Sequence, residues 1–207
     1  VEEMSQIKFS KKWAARLGET HHLNEDKQAE IAYAIEILML NLVNTILTLT
    51  LGWLMGVFWG TLTCLLTIAA FRHNAGGGHS ESPWRCAMVT MIVFPLLALV
   101  SRYIATWQLC YCDLLSLLSV LAGFTFIFIY APVEDPKAPI VSPQRRKKLK
   151  NLALVVMTIL SLIIICLRFT HGYNTSTIQM CLVLSILWVS FNLTPIGRKL
   201  WFFLDNI

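Results

Sequence analysis

The run Asn151-Leu152-Ala153-Leu154-Val155-Val156-Met157-Thr158-Ile159-Leu160-Ser161-Leu162-Ile163-Ile164-Ile165-Cys166-Leu167-Arg168-Phe169 decides the architecture. It carries charge only at Arg168, and as a helix rising about 1.5 Å per residue it nearly matches a hydrocarbon core about 30 Å thick. Immediately before it stands Arg145-Arg146-Lys147-Lys148-Leu149-Lys150. A basic cluster abutting an apolar span is the usual mark of a cytoplasmic membrane edge.

Outward from this span the same pattern repeats. Apolar stretches fall at roughly 31–51, 54–71, 88–108, 112–131, 151–169 and 177–195, six in all. The composition agrees: 56% hydrophobic and 14% charged, against about 25% charged for soluble chains. Period-two alternation is absent, which argues against a β-barrel. The fold expected is all-α, a polytopic integral membrane protein of six transmembrane helices, forming a single membrane domain over residues 1–207. Of the 17 Lys and Arg residues, fifteen fall on one side of such a six-span chain. That side is cytoplasmic by the bias of basic loops, so both termini are expected there. Arg102 and Arg168 fall near the opposite ends and can snorkel to an interface. The first thirty residues lack a compact apolar core and do not read as a cleaved secretory signal; the chain is expected to insert through its own first span.

Residues 5–18 place Phe9, Trp13 and Leu17 on one helical stripe beside Lys8, Lys12 and Arg16. This predicts an N-terminal amphipathic interfacial helix on anionic membrane lipid, within a cytoplasmic segment and linker over 1–30. Asn24, followed by Glu25 and Asp26, is a good helix start. In the first span Glu36 either meets cytoplasmic water near the interface or makes electrostatic contact with substrate or a basic loop. The connection over 132–150 holds Pro132, Pro136, Pro139 and Pro143, and four prolines predict an extended strap. Its cations Lys137, Arg145, Arg146, Lys147 and Lys148 serve topology and lipid binding, with gripping of an acidic peptide segment as an added role. The six cysteines show no paired or zinc-ribbon spacing, and the default for each is a small buried hydrophobe.

The chemistry concentrates in 72–87: Arg72-His73-Asn74-Ala75-Gly76-Gly77-Gly78-His79-Ser80-Glu81-Ser82-Pro83-Trp84-Arg85-Cys86. Three consecutive glycines are not expected for packing; they permit torsions and close approaches that other residues forbid, as when amides must face a ligand. On an unbroken helix His79 and Cys86 would lie about 10.5 Å apart, too far for proton transfer. Ser82 as cap and Pro83 as first helical residue resolve this, leaving His79 on an approach that can fold back. Cys86 then sits in the first turn of a helix, whose positive end favours a thiolate, with Arg85 acting in the same direction. A histidine in reach of such a thiol can take its proton and later give one to a leaving amine. Amides at Gly76, Gly77 and Gly78, or at the start of the third span, are candidates for stabilising an oxyanion. Asn74 and Glu81 are close enough in sequence to orient His79, yet read first as solvated loop residues.

The run Arg72-x4-Gly77-x-His79-x6-Cys86 resembles the signature of the accessory gene regulator B (AgrB) family of membrane cysteine endopeptidases. The resemblance extends over nearly the whole chain, through the six-span profile, the basic N-terminal segment and the Pro-rich basic loop from Ala131 to Lys150. It implies Cys86 as nucleophile and His79 as base, with Arg72 and Gly77 at supporting positions; Ser80 stands where alanine is frequent in the family. It also implies a substrate, a small amphipathic propeptide with an acidic C-terminal tail, and quorum sensing as the setting. Cys86 would release the tail and hold the signal segment as a thioester, which the peptide's own thiol closes to a thiolactone, or a serine to a lactone. A homodimer in the bacterial cell membrane, with a cytoplasmic active site, follows from the same resemblance. No cofactor, metal or nucleic-acid partner is expected. A metal site from His73, His79 and Cys86 matches no zinc spacing. The rival from another class is a membrane transporter or exporter, although such proteins keep ionisable groups near the midplane and these candidates lie toward span ends.

Overall fold

The computed structural model describes residues 24–78, 83–134, 142–170 and 172–205. Among them there is no strand. Seven helices follow in order: α1 (Glu25–Leu54), α2 (Phe58–Ala75), α3 (Pro83–Ile104), α4 (Leu109–Tyr130), α5 (Pro143–Phe169), α6 (Tyr173–Leu193) and α7 (Pro195–Asp205). Two compact units are distinguished, dividing within α1 between Leu47 and Thr48. The first is represented by the N-terminal part of α1, which carries a half-buried Glu36. The second holds everything discussed below.

Five of the helices, α1, α3, α4, α5 and α6, are long and apolar enough to cross a membrane. The sequence reading expects six spans, and α2 is the one that falls short. It has 18 residues, and its last turn carries Arg72, His73 and Asn74, so no apolar window escapes them. The predicted amphipathic helix over 5–18 lies outside the described residues. An amphipathic helix that the sequence reading does not contain, α7, closes the chain instead.

Helix α6 is the axis of the second unit, packing against α2, α3, α4, α5 and α7. Met180, Cys181, Val183, Ile186, Val189 and Leu193 are buried along it. Its neighbours approach closely because they present small residues. On α4 the buried positions are Cys112, Ser116, Ser119, Gly123 and Ile127, a single stripe of helical spacing. Ser119 Oγ donates to the Val183 carbonyl at 2.9 Å, and Gln179 Nε2 to Ser116 Oγ at 3.4 Å. Such small and hydroxyl-bearing contacts bring apolar helices together where lipid supplies no hydrophobic drive between them. The faces turned away, with Leu114, Leu117, Leu121, Ile159, Leu162 and Ile163 exposed, have the apolar surface of a membrane protein.

Three helices start on proline, and each proline follows Ser or Thr. α5 begins at Pro143, with Ser142 Oγ accepting from the Arg145 amide at 3.5 Å. α7 begins at Pro195, with Thr194 Oγ1 accepting from the Gly197 amide at 3.1 Å. α3 begins at Pro83, as the sequence predicts. Proline suits the first helical position because its missing N–H would lack a partner there anyway. The α5 start corrects the expected strap: residues 143–150 are the first two turns of a helix, so Arg145, Arg146, Lys147 and Lys148 project from helical backbone. Of the connection, only 131–134 and Ser142 are described as non-helical.

At the far end of the unit Arg168 does more than snorkel. Its Nε and Nη2 donate to Asp113 Oδ1 and Oδ2 at 2.6 and 3.0 Å, a bidentate pair tying α5 to α4.

Candidate active site at the start of the third helix

Cys86 stands in the first turn of α3, half-buried. Its carbonyl accepts from Thr90 Oγ1 at 2.8 Å, one turn on. Arg72, in the last turn of α2, reaches across and donates through Nη1 to Cys86 Sγ at 3.4 Å. A guanidinium is always charged, so this placement sets a fixed cation against the sulfur. The sequence reading had Arg85 in that role; the side chain on the sulfur is Arg72. Among the other cysteines Cys64, Cys112 and Cys181 are buried and Cys110 and Cys166 exposed, all with free thiols.

Gly76 to Gly78 carry the backbone away from α2 beside this pair. Gly76 adopts φ of 71°, and a Cβ there would run into the Val133 carbonyl oxygen. The Val133 amide in turn donates to the Ala75 carbonyl at 2.9 Å, so the 131–134 strap is stitched to the end of α2. A Cβ on Gly78 would meet Trp201 Cδ1 at 2.7 Å and Arg198 Cα at 3.2 Å. The torsions and close approaches expected of the glycines are both found, with φ also positive at Gly77, but at Gly76 and Gly78 the approaching groups belong to the protein's own strap and α7. Strap and α7 both press on the turn too closely for any side chain.

The amides divide similarly. Gly76 N donates to the Arg72 carbonyl at 3.3 Å and Gly78 N to the Asn192 carbonyl at 3.0 Å, which occupies two of the oxyanion candidates. Among the described residues no backbone hydrogen bond uses the Gly77 amide. Asn192 also anchors α7, accepting on Oδ1 from Trp201 Nε1 and donating from Nδ2 to the Trp188 carbonyl at 2.7 Å. Asn74 is buried, with Nδ2 on the Ala70 carbonyl at 2.8 Å; it is not the solvated loop residue expected.

Beside Arg72 opens a small cleft of about 40 Å³. Its walls come from Ile68 and Arg72 of α2, the three glycines, Val89, Thr90, Val93 and Phe94 of α3, Trp188, Val189 and Asn192 of α6, and Trp201 of α7. Sequence reasoning missed the α6 and α7 contributors, which lie more than a hundred residues beyond Cys86. The Thr194-Pro195 cap, the same device read at Ser82-Pro83, was the signal that could have marked a new helix there.

Of the other predicted site residues, His79 and Lys137 lie outside the described residues, as does Glu81. Glu36 lies in the first unit. Arg145, Arg146, Lys147 and Lys148 are exposed at the start of α5, where Arg146 pairs with Glu134 of the strap. Among the described residues no group of three His, Cys, Asp or Glu side chains gathers as a metal site would require.

The family model for accessory gene regulator B matches residues 10–193. The chain is 34% identical to an accessory gene regulator protein B of Staphylococcus carnosus, covering 73% of this chain and 76% of that one. It is 23% identical to a putative AgrB-like protein 2 of Clostridium perfringens, covering 96% and 95%. A putative AgrB-like protein of Listeria innocua is 23% identical over 72% of this chain and 70% of its own length. No solved structure matches the chain.

Proposed function

The chain belongs to the accessory gene regulator B family, and from that premise and the contact of Arg72 with Cys86 we propose that it is a membrane cysteine endopeptidase that trims and cyclises a small autoinducer propeptide in quorum sensing. The observation that carries the reading is a thiol in the first turn of α3, 3.4 Å from a guanidinium nitrogen, beside an open cleft. Cys86 Sγ attacks the carbonyl before the acidic tail, and His79 takes the thiol proton. The developing oxyanion is met by the Gly77 amide, the one amide of the glycine turn left free of backbone bonds among the described residues. As the C–N bond breaks, His79 returns the proton to the departing tail amine, leaving the signal segment as a thioester on Cys86. The peptide's own thiol then attacks, closing a thiolactone and restoring the Cys86 thiol. Thioester exchanges for thioester at nearly constant free energy, so the cut supplies the activated carbonyl that ring closure needs; a serine would give a lactone.

In this reading α2 is a sixth span, and the active site and both termini face the cytoplasm of a bacterial cell. The exposed cations at the start of α5 hold the acidic tail and anionic lipid, and two copies form the working dimer. The test is intact mass of the protein in liposomes, incubated with its genome-neighbouring small peptide. A mass increase equal to the peptide minus its tail, absent in Cys86→Ala, is expected. Tail release that persists in Cys86→Ala overturns the assignment; neither adduct nor tail release, with uptake of peptide into the liposomes, moves the function to transport.

A further inference from the structure

Helix α7 leaves an apolar face uncovered. Ile196, Leu200 and Phe203, at helical spacing, stay 71%, 41% and 62% exposed, while the neighbouring stripe of Gly197 and Trp201 is buried. The corner between α6 and α7 fixes where that face points. Thr194 Oγ1 accepts from the Gly197 amide at 3.1 Å and donates to the Phe191 carbonyl at 2.7 Å, and a Cβ on Gly197 would run into that same carbonyl oxygen. So tight a corner gives α7 one course as it leaves α6. We infer that this face seats α7 in the headgroup layer of an anionic leaflet, and that the seat steadies the glycine turn beside Cys86.

The occupant is read from what surrounds α7. Helix α6 is long and apolar enough to span a membrane and ends at Leu193, so α7, starting at Pro195, begins at a membrane edge. The same end of the bundle carries Trp84, 61% exposed at the start of α3, and aromatic rings at span ends favour the boundary between hydrocarbon and water. Cations collect there too: Arg198 and Lys199 on α7, and Lys147 and Lys148 at the start of α5, are all exposed. An apolar helical face flanked by Lys and Arg is the pattern of an interfacial helix, and each cation near an anionic leaflet tightens binding roughly fivefold. A second copy docked face to face would instead set these cations against their own like. The buried stripe carries the seat inward. Trp201 Nε1 donates to Asn192 Oδ1, and the Asn192 carbonyl accepts from the Gly78 amide at 3.0 Å. Lipid on one face of α7 and closure of the turn on the other are therefore linked, and each strengthens the other. Lipid on this face steadies the turn whatever reaction Cys86 performs, so the endopeptidase reading is not needed for it.

The test places the full chain in nanodiscs of phosphatidylglycerol or of phosphatidylcholine. For the first measurement p-benzoylphenylalanine replaces Phe203, and illumination is expected to add the mass of one lipid to the protein. An adduct of twice the protein mass gives the face to a second copy, and illumination without a lipid adduct leaves the face in water; either overturns the seat. The second measurement follows hydrogen exchange of the 76–78 amides in the wild-type chain. Exchange in phosphatidylglycerol is expected to be about fivefold slower or more than in phosphatidylcholine. Arg198→Gln with Lys199→Gln, both at exposed positions, is expected to erase that difference. Leu200→Ser with Phe203→Ser is expected to leave the turn exchanging fast in both lipids, and the wild-type comparison stands whether or not that variant folds. Equal exchange of the wild-type turn in the two lipids overturns the link. Cys86→Ala is expected to give the same adduct and the same exchange difference, which separates failure of the lipid seat from failure of the nucleophile.

Discussion

Two arginines, at opposite ends of the second unit, meet different fates. Arg168 is gripped on both sides by the Asp113 carboxylate, at 2.6 and 3.0 Å. Arg72 makes one side-chain contact among the described residues, to a sulfur at 3.4 Å, beside an open cleft. The first arrangement neutralises its charge and is finished: it joins α4 to α5 and offers nothing further. The second leaves a guanidinium with no carboxylate partner among the described residues, set against the Cys86 sulfur. A guanidinium closed by a carboxylate is a clamp, and one left facing a thiol is poised for an anion.

The comparison breaks most decisively at Arg72. Arg72→Gln is expected to slow processing of the cognate peptide about tenfold or more, with Arg72→Lys between, because the guanidinium that donates to Cys86 Sγ is lost. Rates equal to wild type in both variants would reduce the contact to packing. A smaller effect is expected from Arg145→Gln, Lys147→Gln and Lys148→Gln combined, keeping Arg146 because Glu134 already engages it. That variant should weaken processing of an acidic-tailed peptide severalfold and spare a neutral-tailed one; equal losses on both would confine these cations to lipid and topology. Least affected of all should be the activity of Arg168→Gln. Its thermal midpoint should fall while Cys86 alkylation keeps its wild-type rate, and Asp113→Asn should match it. A loss of alkylation in either would mean that the two ends are coupled through α5 or α6.

Much of this was legible from local chemistry. Apolar length alone announces α1, α3, α4, α5 and α6, since a membrane demands each helix satisfy its own backbone. The start of α3 was readable at Pro83, and with it the place of Cys86 in a first turn, because a cap and a first-position proline act within four residues. The same rule held at Ser142-Pro143, where the count of prolines obscured it, and at Thr194-Pro195, where the end of the last apolar stretch did. The sixth span was counted by the alternation of basic loops, which says nothing of how much polar sequence a helix carries in its last turn; α2 carries Arg72, His73 and Asn74 there.

The amino-acid sequence by itself determined the helical membrane class, the family, and the segment from Arg72 to Cys86 as the place to look. These are written in composition and in spacings of a few residues, where the physics is hydrophobic length, capping and backbone freedom. The partner of the thiol was decided only by the tertiary structure, which brings Arg72 to Cys86 across two helix ends. So was the reason for Gly76 and Gly78, which lie under the Val133 carbonyl and the Trp201 ring. So too was the cleft, whose far wall comes from residues 188–201. Contacts between residues on different helices, fourteen or more positions apart, depend on which faces the helices bury against α6 and one another, and no local pattern carries that choice.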